Sequence, residues 1–310
     1  MRVLFVTSTR IGDAVLSTGL LDHLLRAHPG ARITVACGPV AEGVFARMPG
    51  RERTLVLRKR SLSAHWLDLW RQVAGTRWDL VVDLRGSALA WLLRTGRRAV
   101  MRGGRRPGHR LGHLAETLGL SPAPRPVAWT APEDEARAAA LLDGDPAAAG
   151  RPILALGPTA NWAGKVWPAE RFAALARALT AADGPLPGAR LVLLGGPGDA
   201  EHAMAAPLIG MLAAHPGGML DLVGRLSLPE AAAVLRRCAL FVGNDSGLMH
   251  LSAAAGTPTL GLFGPTPADE YAPVGRAARA AMAPDGSMAG LSVAAALDAA
   301  RLLLPSRVPA

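Results

Sequence analysis

The chain opens on a short apolar run, Val3 to Val6, that gives way at Thr7 to the polar loop Thr7-Ser8-Thr9-Arg10-Ile11-Gly12-Asp13. Apolar residues then recur at Val15, Leu16, Leu20, Leu21, Leu24 and Leu25, the helical period, and the pattern stops near Pro29-Gly30. A second run, Ala31–Ala36, and a third, Leu80–Leu84, have the continuous apolar character of parallel strands buried on both faces. Strand, helix and strand in alternation predict an α/β doubly wound first half.

The pattern restarts after a stretch rich in Pro, Ala and acids at 121–150, which is read as the exit from the first domain, a helix at 132–142 and a linker. Ile153–Leu156 is the first strand of a second α/β half. The loop 157–168 leads to a helix with Phe172, Leu175, Ala176 and Leu179 on one face. Strands follow at Arg190–Leu194, before a Gly195-Gly196-Pro197-Gly198 loop, and at Leu240–Val242; a helix near 291–304 ends the pattern. The expected domains are 1–145 and 151–290, with 291–310 as a terminal helical segment.

Composition sharpens this picture. The chain has 310 residues, half of them hydrophobic, which excludes a disordered polycation. Its formal charge is +10, and the excess is uneven: residues 1–150 carry 22 basic against 13 acidic side chains, and residues 151–310 carry 12 against 11. A basic half beside a nearly neutral one predicts that the halves meet different partners. Only Lys59 and Lys165 are lysines. Two cysteines are too few for a disulfide scaffold. No stretch reaches 18 uninterrupted apolar residues, and the N-terminal run is too short for a signal-peptide core, so a cytoplasmic protein is expected.

In open α/β sheets ligands bind beyond the carboxyl ends of the strands, and three loops there carry candidate chemistry. In Thr7–Asp13, the carboxylate of Asp13 starts a helix whose dipole favours an anion; it is either a helix cap or a general base. In Gly157–Pro168, Thr159 offers a hydroxyl and Lys165 a mobile point charge suited to a phosphate, although the spacing is not that of a Walker A loop. In Gly243–Ala255, Asn244-Asp245-Ser246-Gly247 can open a helix on exposed amides, an anion site, with His250 one turn further on.

These pieces together resemble glycosyltransferase family 9, the ADP-heptose:lipopolysaccharide heptosyltransferases. The matching segments are MRVLFVTSTRIGDAVLSTGLL at the start, Gly157 through Lys165-Val166-Trp167-Pro168, and FVGNDSGLMHLSAAAGTPTLGLFGPT at 241–266. The resemblance implies a GT-B fold, two Rossmann-like doubly wound domains facing a central cleft, with the terminal helix crossing back to the first domain. It implies an inverting, metal-independent transfer of a heptose or related sugar from an ADP-sugar co-substrate to an anionic, lipid-linked glycan. Asp13 would be the base. Thr159 and Lys165 would hold the diphosphate, the amides of Ser246 and Gly247 would take the leaving group's charge, Asp245 would bind sugar hydroxyls, and His250 would support the donor. Looser alignment places Glu201 at the nucleoside and Leu226 at the base. The acceptor falls to Arg10, Gly12, Arg97, Arg98, Arg102, Arg105 and Arg106. Two segments depart from the family pattern: Asn161-Trp162-Ala163-Gly164 is less charged than in inner-core enzymes, and Ala268-Asp269-Glu270-Tyr271 is not a close match.

The last five of those arginines lie in residues 94–110, which hold seven arginines and no Phe, Tyr or Trp. The stretch is either a solvated loop or a patch for acceptor phosphates or the inner-membrane face. The missing aromatics argue against single-stranded nucleic acid. A monomer is expected. Two other readings remain open: a nucleotide-sugar hydrolase or epimerase of the same architecture, and a non-enzymatic basic protein that binds polyanions.

Overall fold

The computed structural model describes residues 1–104, 106–144 and 149–305. The chain divides into two compact units, Met1–Trp129 and Thr130–Ala310.

In the first unit, β1 (Arg2–Val6) is followed by helix α1 (Ile11–Ala27), β2 (Arg32–Cys37), β3 (Arg51–Val56), α2 (His65–Val73), β4 (Trp78–Asp83), β5 (Thr95–Val100) and α3 (Arg110–Glu116). The strands form one parallel sheet in the order β3-β2-β1-β4-β5. The strand order reverses between β1 and β4, whose buried apolar residues read as parallel central strands in sequence. Leu4 and Val6 of β1 share a core with Leu69 and Val73 of α2 and with Leu89, Ala90 and Leu93 around a 3-10 turn, Ala88–Leu92. Helices α1 and α3 pack against each other.

The second unit begins with α4 (Pro132–Leu142) and continues through β6 (Ile153–Gly157), α5 (Ala169–Thr180), β7 (Arg190–Leu193), α6 (Asp199–Leu212), β8 (Met219–Asp221), α7 (Leu228–Arg236), β9 (Leu240–Asn244), α8 (Gly247–Ala255), β10 (Thr259–Phe263), α9 (Ala268–Tyr271), β11 (Ala278–Met282) and α10 (Val293–Arg301). Its parallel sheet runs β11-β10-β9-β6-β7-β8, reversing between β9 and β6. The core contains Leu154, Leu191, Leu240 and Leu260 from the strands and Phe172, Leu175 and Leu208 from the helices.

Three features differ from the sequence reading. The units divide at Trp129/Thr130, ahead of the 132–142 helix rather than after it. Helix α4 packs on α7, and Arg236 pairs with Glu135 at 2.8 Å while Arg237 grips both oxygens of Asp143 at 2.7 and 2.9 Å. The terminal helix is part of the second unit, with Ala296 and Ala300 buried in its core, rather than a segment outside a 151–290 domain. Within 94–110, residues Thr95–Val100 are not a loop: they pair with β4 as an edge strand. Among the described residues, no helix is long and apolar enough to cross a membrane.

Candidate functional site

Each unit gathers its candidate chemistry at the carboxyl ends of its two central strands, where the strand order reverses and a crevice forms.

In the first unit, β1 ends at Val6 and β4 at Asp83. Beyond them lies a cavity of about 420 Å³, lined by Thr7, Ser8, Thr9, Arg10 and Asp13 from one side and Leu84, Arg85, Met101, Arg102, Gly103, Gly104, Arg110 and Leu114 from the other. Asp13 stands in the first turn of α1, where unpaired amides and the helix dipole favour its charge. Its Oδ2 accepts from Ser8 Oγ at 3.3 Å, and its Oδ1 lies 3.7 Å from Arg110 Nε. One carboxylate therefore shares the cavity with four guanidinium groups: Arg10, Arg85, Arg102 and Arg110.

Asp83 shapes one wall. Its buried carboxylate accepts from the amides of Arg85 and Ser87, at 2.8 and 2.9 Å, and from Ser87 Oγ. This folds the chain after β4 into a tight turn that presents Arg85 to the cavity. Burial raises the Asp83 pKa above the ordinary carboxylate value, against the opposing pull of those hydrogen bonds.

The expected acceptor residues separate. Arg10 and Arg102 line the cavity, and Gly12 lies in the same turn as Asp13. Arg97 pairs in register with Leu80 and lines a small pocket with Met1, His23 and His28, toward the amino ends of the strands and away from the cavity. Arg98 donates to the carbonyls of Ala90 and Leu93 at 2.7 and 2.9 Å and lies over the Trp91 ring, which gives its guanidinium a structural role. Arg106 pairs with Glu116 at 2.7 Å. Arg105 lies outside the described residues. Sequence reasoning missed Arg85 and left Arg110 unassigned. The signal for Arg85 was its place directly after the strand Leu80–Leu84.

In the second unit, β6 and β9 pair with Gly157 opposite Gly243. A Cβ on either glycine would lie 2.7 or 2.6 Å from the Phe241 ring, so both positions need the missing side chain. Asn244 braces the loops above: its side chain donates to the carbonyl of Pro158 at 2.8 Å and accepts from the amide of Trp167 at 3.1 Å. The indole of the buried Trp167 donates to the carbonyl of Leu291 at 3.0 Å. Pinned at both ends, the loop 158–167 brings Lys165 Nζ to 2.6 Å from Asp245 Oδ2, with little of either side chain exposed. Ser246 then caps α8 in an extended conformation; its Oγ is buried with no hydrogen-bond partner among the described residues. The amides from Gly247 onward open the helix, and His250 is buried in its first turn. Thr159 is buried at the end of β6.

Glu201 and Leu226 sit further out. Glu201 Oε2 accepts from the amide of Gly196 at 2.9 Å and so closes the glycine loop after β7. Leu226 is half-buried after β8. The structure thus brings Lys165, Asp245 and Ser246 together and gives Glu201 a local bond of its own. The combination of a cation, a carboxylate and a helix N-terminus at a strand switch point suits an anion carrying hydroxyl groups.

The fold has counterparts among known proteins. The sequence model of glycosyltransferase family 9 (heptosyltransferase) matches residues 113–295, more than half of the chain. The lipopolysaccharide heptosyltransferase 2 of Salmonella typhimurium is 25% identical over 90% of this chain and 87% of its own. Among solved structures, a family 9 glycosyltransferase from Veillonella parvula superposes with a TM-score of 0.78 at 20% identity, covering 97% of this chain and 96% of its own. The E. coli ADP-heptose lipopolysaccharide heptosyltransferase II superposes at 0.75 and 21%, covering 98% of each chain. The two Rossmann-like units are of the GT-B type.

Proposed function

The chain belongs to glycosyltransferase family 9, and on that premise we propose that it moves a heptose or related sugar from an ADP-sugar to a lipopolysaccharide core or similar surface glycan. The proposed reaction is inverting and needs no metal ion. The observation that carries this reading is the first unit's cavity, in which the Asp13 carboxylate stands among Arg10, Arg85, Arg102 and Arg110.

An acceptor bearing phosphates and carboxylates matches four guanidinium groups, which bind such oxygens in pairs. Its hydroxyl, held near Asp13, loses its proton to the carboxylate as the oxygen bonds to the anomeric carbon. The bond from that carbon to the diphosphate oxygen breaks on the opposite side, and the electron pair leaves on ADP. Lys165, the Thr159 hydroxyl and the first amides of α8 take up the growing negative charge. Asp245, which pairs with Lys165 here, turns to sugar hydroxyls when the diphosphate arrives. His250 supports the donor from the first turn of α8.

The test follows ADP release and acceptor mass with ADP-heptose and a heptose-deficient lipopolysaccharide core. The wild type should release ADP only with acceptor present and add one sugar to it. Asp13→Asn should lower kcat by about 10³-fold while leaving ADP affinity and the unfolding midpoint in place. Transfer by Asp13→Asn at the wild-type rate would remove Asp13 from the role of base, and ADP release without sugar transfer would mark a hydrolase.

A further inference from the structure

The outer surface of the α2 layer in the first unit carries apolar side chains that the proposed chemistry does not use. Trp91 and Leu92 are each 67% exposed, Leu67 and Trp70 are exposed on successive turns of α2, and Leu62 is completely exposed in the turn before it. They belong to adjoining pieces. The Trp70 indole points to the carbonyl of Leu92 at 3.4 Å, and Arg60, two residues before Leu62, pairs with Asp68 of α2 at 2.6 Å.

Leu62 and Ser63 hold φ angles of 48° and 57°, the left-handed region that side chains other than glycine rarely adopt. The turn thus combines an unfavourable backbone with a leucine held in solvent. Large aromatic side chains are also uncommon on a surface without a partner.

The charges around this face select the partner. Residues 57–73 and 88–94 contain five cations, Arg58, Lys59, Arg60, Arg71 and Arg94, and a single carboxylate, Asp68. That carboxylate is already paired with Arg60 and lies 3.7 Å from Arg71. A second copy of the chain placed face to face would oppose cation to cation. An anionic bilayer would accept both components: indole and leucine side chains at the headgroup boundary, and arginines against lipid phosphates.

We propose that this face, formed by Leu62, Leu67, Trp70, Trp91 and Leu92 with the surrounding arginines, docks the protein on an anionic lipid surface. The assignment is independent of the sugar-transfer reading, because bilayers lacking any glycan acceptor should be bound.

The test is co-sedimentation of the full chain with vesicles of phosphatidylcholine alone, or with one quarter phosphatidylglycerol, at 0.15 M salt. The wild type should partition onto the anionic vesicles and only weakly onto the neutral ones. Trp91→Ser with Leu92→Ser should lower partitioning at least ~10-fold, and Arg58→Ser with Lys59→Ser about 30-fold. Leu62→Ser, in an exposed turn that contributes nothing to the core, provides a variant whose unfolding midpoint should not fall. Failure of the wild type to bind anionic vesicles, or equal binding by all variants, would overturn the proposal. So would sedimentation of the wild type as a dimer that the Trp91/Leu92 variant splits, because the face would then be a protein interface.

Discussion

Lys165 and Asp245 are 80 residues apart in sequence, and their charged atoms lie 2.6 Å apart. Lys165 ends a short 3-10 turn, Ala163–Lys165, and Asp245 directly follows β9; the loop after β6 reaches the loop after β9 because Asn244 fastens it from below. An enclosed pair of this kind is strongly asymmetric to mutation, because removing one partner strands the other's charge. Lys165→Met should cost on the order of 3 kcal/mol, and the Lys165→Met, Asp245→Asn double variant should recover much of it. Urea unfolding of the four proteins in the cycle measures this. A double variant no more stable than Lys165→Met would show that the two charges do not depend on each other.

Gly164 leaves room for the Trp162 ring. A Cβ there would overlap the six-membered ring, while the Lys165 amide donates to the Trp162 carbonyl at 3.1 Å. Gly164→Ala should therefore displace the lysine loop and weaken ADP binding about 10-fold, a loss of about 1.4 kcal/mol. Trp162→Ala with Gly164→Ala should restore affinity. Titration calorimetry with ADP decides it; equal affinities of wild type and Gly164→Ala would show that the ring moves aside without cost.

The arginines of the first unit should divide by position. Arg102→Gln with Arg110→Gln should raise the acceptor KM by 10-fold or more, on the order of 1.4 kcal/mol, with ADP binding intact. Arg97→Gln should leave both unchanged. Arg98→Ala should instead lower stability by about 1–2 kcal/mol through the lost carbonyl bonds and the Trp91 contact. A rise in KM for Arg97→Gln matching that for the cavity variants would return the whole basic stretch to acceptor binding.

That division was only partly legible in sequence. β1, β4, β6 and β9 are nearly pure apolar runs because both faces of a central parallel strand are covered. Their end loops carry Asp13, Lys165 and Asp245, so the candidate sites could be found from strand ends alone. β3 and β5 were missed because edge strands bury less and carry charge: RERTLV and TGRRAV read as polar segments. Once Thr95–Val100 is a strand, Arg97 and Arg98 are fixed far along it from the cavity. The brace made by Asn244 had no sequence signal beyond its place in a turn.

Asp83 makes stability depend on pH. Burial raises its folded pKa above the unfolded value near 3.8, so the group favours the folded state most when protonated. Its contribution is fully present below the unfolded pKa and is lost as pH rises through the raised folded pKa. The stability of wild type relative to Asp83→Asn should thus fall as pH rises from below 3.8, then level off. Urea unfolding of both proteins between pH 3.5 and 7 checks the sign; a difference that grows with pH would contradict it.

Both thiols are closed to solvent. Desolvation pushes Cys37 up to about 12, aided by the nearby Glu42 charge; burial pushes Cys238 up to about 12 against the opposing pull of Arg237. The native protein should not react with a disulfide reagent at pH 8, whereas both thiols should be titrated in guanidinium. Rapid native labelling of either would show that its surroundings open.

The cations lining the first unit's cavity are all arginines. A guanidinium offers no amine to an acetylating enzyme. The positive charge of the cavity thus has no lysine-type chemical off-switch. Acceptor capture by this cavity should therefore vary with the number of phosphates and carboxylates the acceptor carries, and kinetics with differently phosphorylated acceptors would report that dependence.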